Sequence, residues 1–117
     1  MKRRHKTVVK ALRLSIVKWK GIAGGTQEDR GLHNCPLCKL FNNPSIPKQS
    51  KCHGCPVWVE TGQRFCNGTP YQIWDNFFRD SGLTARRTIT EDTLKLAQSE
   101  IMFLKSLLEK EKRHGQR

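Results

Sequence analysis

Two Cys-x-x-Cys pairs and a fifth cysteine constrain the fold of this chain more than any other feature. The pairs are CPLC, at residues 35–38, and CHGC, at residues 52–55, and the fifth cysteine is Cys66. Each pair can form a tight turn that directs two thiolates at one point, and zinc takes four such ligands in a tetrahedron. Thirteen residues separate the pairs, which is close to the usual spacing of four-cysteine zinc sites.

The sequence therefore predicts a structural zinc site whose ligands are Cys35, Cys38, Cys52 and Cys55. Cys66 is an alternative ligand that would replace Cys52. An iron–sulfur cluster, disulfides or an inert thiol at Cys66 stay open as alternatives. His33 and His53 lie beside cysteines and are candidate ligands, but exposed loop positions are the expectation for both. Because four thiolates leave no position for water, the predicted zinc is structural rather than catalytic.

Positive charge is concentrated at the two ends of the chain. The formal net charge is +12, from 22 Lys and Arg against 10 Asp and Glu, and residues 1–20 contain no acidic residue. Such an excess favours an anionic partner, such as nucleic acid, an acidic protein face or a membrane surface. The alternative is a solvated basic face that only keeps the protein soluble. The predicted nucleic-acid contacts are Lys2, Arg3, Arg4, Lys6, Lys10, Arg13, Arg86 and Arg87.

Three helices are predicted from apolar periodicity and capping residues. They run from Thr7 to Ile22, from Thr69 to Asp80 and from Thr90 to Lys112. We expect the first and third helices to pack together, with Leu14 and Val17 making the apolar stripe of the first helix wide or double. The stripe of the first helix is Val8, Leu12, Ser15, Ile16 and Trp19, and that of the third is Leu94, Ala97, Ile101, Leu104 and Leu108.

The predicted fold class is small and mostly α, with a loop-rich zinc-knuckle centre between the N- and C-terminal helices. Four prolines between residues 36 and 56 argue against a long helix there, and residues 57–59 are expected to form a short strand or a buried turn. We expect one domain over residues 1–117, with flexible tails at residues 1–6 and 113–117. No apolar run approaches the roughly 18 residues that a membrane span needs.

Several longer motifs resemble small proteins encoded by tailed bacteriophages. These motifs are SIVKWKGIAGG, CPLCKLF, CHGCPVWVETGQRFCNGTPYQIW and EIMFLKSLLEKE, and the resemblance extends from Leu12 to Glu109. It implies a bacteriophage source, the cytoplasm of a bacterial host and a metal site, but no activity. It also favours a role for Cys66 in the metal centre, because this residue lies within the CNGTPY motif.

The sequence favours a non-catalytic zinc-binding accessory protein that binds nucleic acid or a host complex that handles nucleic acid. The alternative is a protein-interaction module in which the Leu-rich C-terminal helix contacts a host protein or a second copy of the chain. A small nuclease is the third hypothesis. It has little support, because Glu28-Asp29 and Glu91-Asp92 resemble ordinary loop and helix-cap acids rather than a magnesium site, and no histidine has a nuclease arrangement.

Overall fold

The computed structural model describes residues 2–63, 66–81 and 90–115, which contain helices and no strand. None of the helices in these ranges has the length and apolar character needed to cross a membrane. Short 3-10 turns occur at Gly31–Asn34 and Lys48–Ser50. The five α-helices are α1 (Lys2–Ala23), α2 (Pro36–Phe41), α3 (Pro56–Thr61), α4 (Pro70–Ser81) and α5 (Glu91–Gly115).

Helices α1 and α5 pack against each other as predicted, and α4 packs against α5. The predicted α1 stripe from Val8 to Trp19 is buried along its whole length. On α5, Ala97 and Leu104 are buried, and the remaining members of the predicted stripe are half-buried. Most of the apolar surface of both long helices is therefore used inside the same chain.

Two features of α1 differ from the prediction. The helix begins at Lys2 rather than Thr7, so residues 2–6, expected to be a flexible tail, have helical backbone. Leu14 and Val17 are 48% and 59% exposed, so the apolar stripe is neither wide nor double. Both side chains lie away from α5, because an α-helix presents only one side to a single neighbouring layer.

An aromatic cluster joins α1 to α4. The rings of Trp19 and Trp74 meet edge to face, with centroids 5.1 Å apart, and Trp74 also contacts Phe78 at 4.7 Å. Trp74 and Phe78 are almost completely buried. Large aromatic side chains contribute strongly to a core because each removes roughly 150–250 Å² from water. Trp19 and Trp74 therefore belong to the core.

Helices α4 and α5 begin directly after their predicted capping residues, Thr69 and Thr90. At α5, Thr93 N–H donates to Thr90 Oγ1 at 3.2 Å, and Thr90 N–H donates to Thr93 Oγ1 at 3.0 Å. At α4, the Thr69 hydroxyl instead donates to the carbonyl of Cys66 at 2.5 Å. Thr69 therefore connects the beginning of α4 to the turn that carries the fifth thiol.

The middle of the chain is more helical than predicted. Residues 57–59 belong to α3, so the expectation of a short strand or buried turn is wrong. Within α3, Val57 is buried, Trp58 is half-buried and Val59 is 66% exposed. Pro36 and Pro56 occupy the first position of α2 and α3. A backbone N–H at this position has no partner within the helix, so proline loses no hydrogen bond there, and its fixed φ angle suits the helix.

Candidate metal centre and basic face

All five cysteines line one cavity of about 170 Å³. The five α-helices all contribute to its wall, so segments far apart in the sequence surround the same space. None of the five cysteines forms a disulfide. The wall also includes Ser15, Lys18, Trp19, Leu37, Phe41, Trp58, Tyr71, Glu100 and Leu104.

The two Cys-x-x-Cys pairs reach this cavity through different local structures. In the first pair, Cys35 caps α2, and its sulfur accepts the Cys38 N–H at 3.3 Å. In the second pair, Cys55 N–H donates to the Cys52 carbonyl at 3.1 Å, and Cys55 then precedes α3. A cysteine followed by proline thus starts each short helix, which places Cys35 and Cys55 in equivalent positions.

Two of the thiols are carried on strained backbone. Among the described residues, the only positive φ angles outside glycine belong to Cys52, at 68°, and Cys66, at 62°. A side chain in this left-handed region costs roughly 1–2 kcal/mol. Such strain persists only where the surroundings impose it, and here it occurs at two residues that line the same cavity.

The thiols differ in their tendency to ionise. The hydrogen bond from the Cys38 thiol lowers the pKa of Cys35 to about 6, despite burial, with help from nearby Lys18. The same hydrogen bond raises the pKa of Cys38, because Cys38 is its donor. Burial raises the pKa of Cys55 to about 11 and also raises the pKa of Cys66. Cys35 is therefore the thiol that most readily supplies a thiolate, the form that binds metals.

Two polar atoms in the cavity wall have no hydrogen-bond partner among the residues that the structure describes. They are Oγ of Ser15 on α1 and Oε1 of Glu100 on α5, and the two residues are 3% and 6% exposed. Burial raises the pKa of Glu100 to about 8, and the charge of Cys35 adds to this effect. Glu100 was not identified from the sequence, although its position three residues after Ala97 and four before Leu104 in the apolar stripe of α5 indicated burial.

A buried ion pair lies beside the thiols. Lys18 Nζ contacts Asp29 Oδ1 at 3.0 Å, and the two side chains are 7% and 0% exposed. Asp29 also accepts hydrogen bonds from Gly31 N–H at 2.9 Å, the Tyr71 hydroxyl at 2.9 Å and Trp74 Nε1 at 3.2 Å. The expectation that Asp29 is an ordinary loop acid is wrong, because its carboxylate holds the loop after α1 against α4.

This network explains the ionisation of Asp29. Burial alone would raise the pKa of Asp29, but the Lys18 ammonium and the hydrogen bonds from Gly31 and Tyr71 hold it below its ordinary value. In the sequence, Lys18 falls within the basic N-terminal segment of residues 1–20. Its place three residues after buried Ser15 was the sequence feature that could have separated it from the exposed cations.

The ligand set predicted from the sequence stays a prediction. Across residues 2–63, 66–81 and 90–115, no group of three or more His, Cys, Asp or Glu side chains is arranged so that it could hold a metal ion. The cavity does bring together Cys35, Cys38, Cys52, Cys55 and Cys66. His33 and His53 are exposed, as expected, and the His53 ring stacks on Trp58 with centroids 4.8 Å apart.

The predicted nucleic-acid contacts fall into three groups. Lys6, Lys10 and Arg13 are exposed on α1, and Lys20 extends the same face. None of these four cations forms an ion pair with a carboxylate of the described residues. The side chains of Lys2, Arg3 and Arg4, together with Arg86 and Arg87, lie outside what the structure describes.

The Leu-rich surface of α5 is largely covered within the chain. Leu104 and Leu107 are 2% and 3% exposed and belong to the core. Met102, which is 72% exposed, is a large apolar side chain of α5 that faces solvent. A host protein or a second copy of the chain would therefore meet little of the apolar stripe on which the interaction hypothesis was based.

Comparison with known proteins leaves the family of the chain open. No protein-family model matches it, and neither the curated proteins nor the solved structures include a significant match. The resemblance to bacteriophage proteins therefore stays a prediction.

Proposed function

We propose that this protein is a non-catalytic bacteriophage accessory protein that acts in the host cytoplasm and binds nucleic acid through α1, while thiolate-bound zinc stabilises its centre. The single observation that supports nucleic-acid binding is the exposed row of cations along α1. From Lys6 to Lys20 this row spans about 21 Å at 1.5 Å per residue. Its side chains are available to phosphates because no described carboxylate neutralises them.

The donor chemistry of the cavity supports the metal. Zinc accepts cysteine thiolates readily, and a wall with five thiols offers more than the four ligands of a structural site. Cys35, Cys38, Cys52 and Cys55 would hold the ion, with Cys66 as the alternative to Cys52. A bound ion would also offset the backbone strain at Cys52 and Cys66, because metal binding contributes directly to folding free energy.

Contacts between α1 and phosphates are sequence-independent and release counterions, so binding should weaken steeply as salt rises. The test is fluorescence anisotropy with a labelled DNA duplex over a range of salt concentrations. Replacing Lys6, Lys10 and Arg13 with Gln should reduce the magnitude of the slope of log affinity against log salt by about 2.7, because each of the three lost phosphate contacts contributes about 0.9. The expected loss of affinity is similar for unrelated duplex sequences.

A matched control separates the α1 face from the overall charge. Lys39, Lys48 and Lys105 are exposed cations that do not belong to α1, and replacing them with Gln removes the same number of charges. This control should leave most of the salt slope intact. Equal effects of the two triple variants, or wild-type binding that does not depend on salt, would rule out α1 as the nucleic-acid contact.

A further inference from the structure

We infer that the cavity holds a centre of more than one metal ion and that Glu100 is an oxygen donor to it. This inference rests on the proposed metal centre and concerns its size and composition. Three observations carry it: the volume of the cavity, the number of donors in its wall and the unpartnered state of Glu100 Oε1.

The volume exceeds what one ion requires. A single zinc ion lies about 2.3 Å from each of its four sulfurs, so its ligands enclose no space beyond the ion itself. The cavity measures about 170 Å³, whereas about 10–15 Å³ by the same measure is enough to hold one water molecule. One ion would occupy only part of this space, which is partly open to solvent, and apolar side chains such as Leu37 and Leu104 cannot coordinate it.

The donor count also exceeds four. Five thiols and the Glu100 carboxylate line the cavity, so one tetrahedral ion bound by four thiolates would leave one thiol unused and Glu100 Oε1 without a ligand. Two ions that share bridging thiolates would use all of these donors. Each additional divalent ion also cancels two negative charges in a site where Lys18, already paired with Asp29, is the cation in the wall.

Glu100 supplies the observation that is independent of the thiols. Its side chain lies within the core-facing side of α5, it is 6% exposed, and Oε1 has no hydrogen-bond partner. A buried carboxylate oxygen without a partner is costly, and coordination to a metal would satisfy it. Carboxylate oxygen is an accepted ligand of zinc beside cysteine sulfur.

The test is the metal content of the full-length protein, purified without chelator and without oxygen, by elemental analysis and native mass spectrometry. Two or more metal ions per chain are expected. One ion per chain would overturn this inference while leaving the proposed zinc centre intact, and no bound metal would overturn both. Zinc alone would identify a zinc cluster, whereas iron with acid-labile sulfide would identify an iron–sulfur centre and replace zinc in the proposed function.

Glu100→Gln tests the role assigned to the carboxylate. It should lower the metal content by one ion per chain, whereas Glu109→Gln, which changes an exposed acid on the same helix, should not. Equal metal content in Glu100→Gln and the wild type would exclude Glu100 as a donor. If Glu100→Gln does not fold, Glu100→Asp provides the second measurement: it keeps the charge but shortens the side chain, and it should also bind fewer ions.

Discussion

At the scale of single residues, Asp29 has a dense set of polar contacts. Its two carboxylate oxygens pair with the Lys18 ammonium and accept hydrogen bonds from Gly31, Tyr71 and Trp74. The Asp29 side chain is fully buried. Removing one partner of a buried ion pair leaves the other charge without compensation, which typically costs about 3–5 kcal/mol. The network therefore connects α1, the following loop and α4 through one carboxylate.

Asp29→Ala should lower the free energy of unfolding at neutral pH by about 3 kcal/mol, measured by urea denaturation. Glu28→Gln is the control, because Glu28 lies next to Asp29 but pairs with Arg30 at the surface. Replacing Lys18 with Met in the Asp29→Ala background should recover part of the loss, because no charge then stays buried alone. A double variant no more stable than Asp29→Ala would show that the buried charge is not the cause.

The Asp29 interaction also predicts a dependence on pH. Because folding lowers the pKa of Asp29, its contribution is fully present above the ordinary value of 3.8. The contribution is lost as the pH falls through the lower pKa of the folded state. The difference in unfolding free energy between the wild type and Asp29→Ala should therefore shrink below about pH 3.8. A constant difference down to the acid limit would contradict this explanation.

At the scale of secondary structure, α1 separates a buried from an exposed side within a few residues. Leu12 is 0% exposed, whereas Leu14 is 48% exposed. Leu12→Ala should cost about 2–5 kcal/mol, because a cavity adds to the lost burial. Leu14→Ala should change stability by less than about 0.5 kcal/mol. Thermal or chemical unfolding of the two variants provides the comparison, and similar losses would show that α1 does not have the observed orientation.

The long helices could be predicted from sequence because each contains a capping residue, an initial proline or an apolar stripe with helical spacing. Thr90 caps α5, Pro70 begins α4, and the stripe from Val8 to Trp19 defines the inner face of α1. The short helices α2 and α3 could not, because six residues are too few for a reliable period and proline suggested a loop. In α3, Val57 and Val59 added a false indication of a strand, since β-branched residues are common in strands.

The site was predictable in its thiols but not in its polar groups. Cysteine spacing identified the residues that line the cavity. Asp29 could not be assigned, because its environment depends on how α1, the following loop and α4 meet in the fold. Lys18 and Glu100 have helical positions on the buried sides of α1 and α5, but their charge argued against burial. Charged residues are mostly exposed, so burial of all three departs from the usual expectation.

At the scale of the whole molecule, the proposed metal would crosslink the start of α2, the segment before α3 and the turn at Cys66. A strong chelator, or Cys38→Ser, should lower the melting temperature by at least about 5 °C, because about 1 kcal/mol corresponds to roughly 4 °C for a domain of this size. Adding zinc back after removal of the chelator should restore the wild-type curve but not that of Cys38→Ser. An unchanged melting curve in chelator would argue against a metal that stabilises the fold.

The order of synthesis determines when each part of the cavity wall becomes available. All five cysteines, from Cys35 to Cys66, are synthesised before Glu100 and Leu104 of α5. During translation, the thiols are therefore present while one side of their enclosure is still missing. The proposed metal ion can therefore reach the first thiolates through that open side. Helix α5 then adds the last part of the wall.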